Sequence, residues 1–134
     1  MRVMMYRAVG PFEVKLIPQA PQGEEAANPA RMLIEKQFHG DLEATSKGHM
    51  LSAMTPVKNS AGYVAIEEVI GILQGKRGNF LLQHSAILNR GAGQLSVVVV
   101  PDSGTEELTG LIGSMKITRE AGKHRYEFEY SLGD

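Results

Sequence analysis

The sequence predicts an all-β domain, an antiparallel barrel of about eight strands, and three observations point to it. Apolar residues recur at period two in run after run. Turn clusters of Gly, Asn, Asp and Pro separate most of those runs by only a few residues. No segment carries a helical pattern long enough to serve as the crossover between parallel strands, so consecutive strands run antiparallel. An open meander of eight strands leaves an exposed edge at each side. Closure removes both and encloses a lumen wide enough for side chains or one small ligand. The 134 residues, 43% of them hydrophobic, fit one domain with one core.

Residues 1–9 and 18–30 read as irregular. Between them, Phe12, Val14 and Leu16 alternate with Glu13 and Lys15 as a half-buried strand that Pro18 ends. The three prolines of residues 18–30 discourage regular structure there. An apolar run from Met32 to Phe38 follows, then turn chemistry at His39-Gly40-Asp41. Leu42 to Val57 reads as a longer, interrupted strand in which Gly48 marks a bulge or bend. Lys58 to Gly62 turns the chain into a long hairpin that ends at Leu88. Residues 89–93 turn it again. Gln94 to Val100, with four consecutive valines, is a strand that Pro101 stops. Ser103-Gly104-Thr105-Glu106 fits a capping box, which predicts one helical turn near Thr105 to Leu108 closed by Gly110. Leu111 to Arg119 and His124 to Leu132 complete the strands. The last alternates Tyr126, Phe128 and Tyr130 with Glu127 and Glu129.

Composition narrows the function classes. A net charge of −1, with 14 scattered Lys and Arg, supplies no basic field for nucleic acid or an anionic membrane. The absence of cysteine excludes thiol catalysis, disulfides and cysteine-ligated metals, and suits a cytoplasmic setting. No apolar run approaches the roughly 18 residues needed to span a bilayer. His39, His49 and His124 lie on separate segments without metal-ligand spacing, so neither a metal nor a cofactor is expected.

The chemistry concentrates on the central hairpin, whose turn is expected within Gly75 to Gly78. A three-residue loop would place Glu68 directly opposite His84. A four-residue loop would instead put Glu67 on the face of His84, diagonally removed. Counting apolar partners favours the first, because Ile66, Ile70 and Ile72 then line up with Phe80, Leu82 and Ala86. His84 continues the inward period of Phe80 and Leu82, and beside a carboxylate it forms either a structural pair or an acid–base pair. Tyr63 and Tyr126 complete the candidate pocket with Glu67, Glu68 and His84.

Four phrases carry a resemblance: Gly10-Pro-Phe-Glu-Val14, Phe38-His-Gly-Asp-Leu42, the stretch from Gly71 through the glycine turn to His84, and the stretch from Val99 to Gly110. Together they resemble a family of bacterial domains of unknown function, related in fold to the allene oxide cyclase barrel. The resemblance implies eight strands and carries the family's glutamate onto Glu67 and its histidine onto His84. It turns the isoleucines outward, which makes them a strip for homo-oligomer contact. Where that family often has tryptophan, this chain has Val97. The resemblance supplies no reaction. The reading preferred here is a lumen that binds a small, mostly apolar molecule. The alternatives are a cofactor-independent isomerase or cyclase using Glu67 with His84, and a structural protein whose lumen is filled by side chains.

Overall fold

The structure, a computed structural model, describes residues 4–19 and 28–133. Eight antiparallel strands follow one another in chain order and close into a barrel. They are β1 (Tyr6–Pro18), β2 (Ala30–Phe38), β3 (Leu42–Met54), β4 (Ala61–Leu73), β5 (Lys76–Asn89), β6 (Ala92–Val99), β7 (Ile112–Glu120) and β8 (Lys123–Ser131). One short 3-10 turn, Glu106–Leu108, interrupts the connection from β6 to β7. Among the described residues no helix is long and apolar enough to cross a membrane.

Two expectations about the strands change, and a third falls mostly outside the described residues. Residues 6–9 are not irregular: β1 begins at Tyr6, where Tyr6 to Phe12 pair with β8 to close the barrel. Much of the segment 18–30 lies outside the described residues. β3 runs without interruption, and Gly48 is no bulge; it sits in register between Ile34 and Glu67.

The meander sets three connections at one end of the barrel, and side chains seal that end. Leu108 and Leu111 of the β6–β7 connection are fully buried there with Phe38, Phe80 and Phe128. The Phe80 and Phe128 rings stack at 5.8 Å, and Phe38 meets Tyr126 edge-on at 5.6 Å. The Tyr126 hydroxyl donates to the carbonyl of His39 at 2.7 Å and accepts from the N–H of Leu42 at 2.8 Å, which ties β8 to the β2–β3 turn.

The β6–β7 connection also completes the wall. β5 pairs with β6 only from Leu82 onward, so its first residues, paired with β4 on one side, lack a neighbouring strand on the other. The Thr105 hydroxyl accepts from the N–H of Asn79, and the Ser103 hydroxyl accepts from the N–H of Leu81, each at 3.0 Å. These contacts correct the expected capping box: the 3-10 turn has no side-chain cap. The β5 amides take the hydroxyls instead, and at the partly buried Leu81 amide a missing acceptor would cost more than an uncapped single turn.

Candidate functional site

The central hairpin turns in two residues, Gln74 and Gly75, with Leu73 paired to Lys76. Both turn residues have positive φ, 44° and 87°, the left-handed pair that matches strand twist in a tight hairpin. This register replaces both expected ones. Glu67 stands opposite Leu82, and His84 stands opposite Ala65, so Glu67 and His84 are diagonal neighbours on the inner face. Glu68 points outward beside Leu81 and Lys47 and is exposed. Ile66 and Ile70 also point outward, about half exposed.

Glu67 is fully buried and His84 is 3% exposed. Directly across from Glu67 on β3 stands Gly48, where an added Cβ would lie 2.6 Å from the Glu67 Cβ. That glycine is what admits a carboxylate to a narrow interior.

A third ionisable group completes the cluster. Lys36 on β2, 8% exposed, donates from Nζ to Glu67 Oε2 at 2.8 Å, and His84 Nε2 lies 2.8 Å from the same oxygen. The Lys36 ammonium also lies 5.2 Å from the centre of the Phe12 ring and 5.7 Å from that of Phe38. Burial pushes the Glu67 carboxyl up, but the hydrogen bond from His84 and the charge of Lys36 outweigh it, so its pKa falls below the ordinary value. Two polar atoms here are sealed off without a partner among the described residues, Glu67 Oε1 and Ser46 Oγ.

Lys36 and His84 line a cavity of about 260 Å³ in the open half of the lumen. Its walls are largely apolar, with Val14, Leu16, Ile34, Leu95 and Ile117 around it. Tyr63 and His124 bring the remaining polar groups. Burial, and then the nearby Glu67 charge, raise the Tyr63 phenol above its usual pKa. A larger hollow of about 480 Å³ lies on the outer wall over β3, β4 and β5, against outward residues such as Leu51, Val64, Ile66 and Gln83. The smaller internal cavity is the candidate site, since Lys36 and His84 line it together.

The sequence-derived pocket therefore divides. His84 and Tyr63 line the cavity with Glu67 buried behind His84, Glu68 lies outside the barrel, and Tyr126 serves the sealed end. Lys36 and Ser46 were missed. Lys36 had a signal: it falls between Ile34 and Phe38 at period two, which places it on their inward face. Of the other histidines, His39 bonds Glu13 at 2.8 Å near the surface, and His49 is exposed. Among the described residues no three metal-ligating side chains converge.

The fold and site define a small closed meander barrel, packed solid at one end and hollow at the other, with a buried Lys–Glu–His cluster at the inner end of the hollow. The chain belongs to the family described as Protein of unknown function (DUF3224), which matches residues 8–130. It is similar to a solved structure from Shewanella oneidensis MR-1, described as a protein with unknown function from the same family. The two are 50% identical with a TM-score of 0.87, over 95% of this chain and 96% of that one. Comparison with curated proteins finds no match.

Proposed function

We propose that the protein binds a small, mostly apolar molecule in the open half of the lumen, with the molecule's polar end against Lys36 and His84. The observation that carries this is the position of the charged cluster. Three ionisable groups occupy the inner end of an apolar cavity, where well-packed hydrophobic residues of similar volume would be as stable or more so. Groups that the fold does not need for stability, aimed at empty apolar space, are the usual make-up of a small-molecule site. A lumen filled throughout describes only the sealed half. The absence of cysteine supports a reducing, cytoplasmic setting for this activity.

Native mass spectrometry of the gently purified protein is expected to show a bound small molecule. Leu95→Trp, which places a ring across the cavity, is expected to abolish that extra mass while leaving the fold intact. A protein that carries nothing, and whose intrinsic fluorescence and melting are unmoved by a panel of small apolar compounds, would overturn the proposal.

A further inference from the structure

We infer that the Lys36–Glu67–His84 cluster is a general-base site that moves a proton on a small enolisable ketone held in the lumen. The inference rests on the binding reading above and adds a reaction to it.

An ionised carboxylate only accepts hydrogen bonds, so the His84 nitrogen that faces Glu67 Oε2 carries the hydrogen. In the neutral ring the lone pair is then on Nδ1. That atom has no hydrogen-bond partner among the described residues and is not one of the sealed-off polar atoms, so it is open to a ligand, and His84 lines the cavity together with Lys36. Glu67 thus sets the tautomer and the ring direction from behind, the arrangement by which a carboxylate turns a histidine into a directed base.

Lys36 supplies the second function. Its ammonium bonds the same Glu67 oxygen, so it lies beside the imidazole, and it lines the same cavity with further N–H donors. Its charge and that of Glu67 cancel, which leaves the cavity neutral while His84 is neutral. A neutral head group enters such a site more readily than an anion, which would need a compensating charge. The complementary head group accepts a hydrogen bond from Lys36 and presents a proton to Nδ1. A ketone with a hydrogen on the adjacent carbon does both.

In the step itself, Nδ1 takes the proton from the carbon next to the carbonyl. The C–H electron pair becomes a carbon–carbon double bond, and the carbonyl π pair moves onto oxygen, where Lys36 stabilises it. The imidazolium that forms is stabilised by Glu67. Return of the proton to the same carbon regenerates the ketone, and return to a conjugated carbon further along isomerises it, with no oxidant or co-reactant. His84 and Lys36 are the catalytic residues of this reaction, and Glu67 is a positioning residue.

The test uses the intact protein and cyclohexanone in deuterium oxide. Saturation-transfer NMR reads binding, and mass spectrometry reads deuterium at the carbons next to the carbonyl. Incorporation is expected to run about a hundredfold faster than with free imidazole at equal concentration. His84→Gln, whose amide still donates to Glu67, is expected to lose the exchange even at ketone concentrations that saturate its NMR binding signal. Glu67→Gln is expected to abolish the nitrogen-15 signature of an Nε2-protonated His84 and to slow exchange while the ketone still binds. Binding without exchange above the imidazole background would overturn the proton-transfer site and leave the binding reading standing. Exchange that persists in His84→Gln would also overturn it. Failure of the ketone to bind would overturn the inference as well, whereas the binding reading is judged on the co-purified molecule.

Discussion

The two ends of the barrel bury polar groups in opposite ways. At the sealed end the buried polar groups are neutral and paired: the Tyr126 hydroxyl bridges His39 and Leu42, and the Tyr130 hydroxyl bonds Gln74. At the open end three buried groups, Lys36, Glu67 and His84, are ionisable, and two atoms, Glu67 Oε1 and Ser46 Oγ, have no partner among the described residues. Packing sets the first arrangement, since aromatic rings and two leucines leave no room for water. Packing does not ask for the second. A fold that satisfies its polar groups at one end and leaves them short at the other marks the second as the place where stability yields to function.

The most severe way to break this comparison is to remove one charge from the open end. Lys36→Met keeps the apolar stem between the Phe12 and Phe38 rings but leaves the Glu67 carboxylate fully buried with His84 alone. Breaking one side of a buried ion pair typically costs about 3–5 kcal/mol, most of it from the charge left behind. Urea unfolding at neutral pH should show a loss of that size, and the double variant Lys36→Met, Glu67→Gln should recover most of it. If the double variant is no better than the single one, the cluster is a packing element like those at the sealed end, and the contrast fails.

Much of this architecture is legible in the sequence, and the parts that are not have physical reasons. Strand number, order and closure follow from period-two runs and short turns, because alternation is a local property of each run. The hairpin register is different. It depends on Gln74 adopting a left-handed conformation that asparagine or glycine would advertise and glutamine does not, so the two-residue turn stays hidden and the loop reads as longer. Lys36 escapes notice for another reason: a lysine in an apolar run normally reads as solvent-facing, and only its partner on β4, 31 residues away, makes an inward position affordable. Ser103 and Thr105 look like a helix cap because the strand amides they serve are distant in sequence.

A smaller effect sharpens the comparison from the sealed end. Tyr126→Phe removes the hydroxyl and keeps the ring against Phe38, leaving the Leu42 amide and the His39 carbonyl without it. Two backbone groups stripped of one shared partner should cost about 1–3 kcal/mol. Thermal melting should show the loss. A compound that fills the open half of the lumen should stabilise this variant and the parent protein by the same amount, because Tyr126 does not line the cavity. Unequal stabilisation would mean that the two ends are coupled.

The smallest effect lies at the join between β5 and the β6–β7 connection. Ser103 and Thr105 stand in for a missing strand, and their hydroxyls are the acceptors for the amides of Leu81 and Asn79. Ser103→Ala should cost about 0.5–1.5 kcal/mol, the net worth of one ordinary hydrogen bond. Thr105→Val should cost less than Ser103→Ala, since the Asn79 amide bond is exposed and water replaces the lost acceptor, while the Leu81 bond is partly buried. The backbone bond from the Thr105 N–H to the Asn79 carbonyl, 3.0 Å, holds the connection in place in both variants. Global stability is therefore a blunt reading here, and native-state hydrogen exchange is the sharper one. Protection should fall at the Leu81 amide in Ser103→Ala and at the Asn79 amide in Thr105→Val, with β4 unchanged in each. If protection falls across the whole of β5 instead, the connection holds up the hairpin that carries His84, and the sealed end contributes to the site after all.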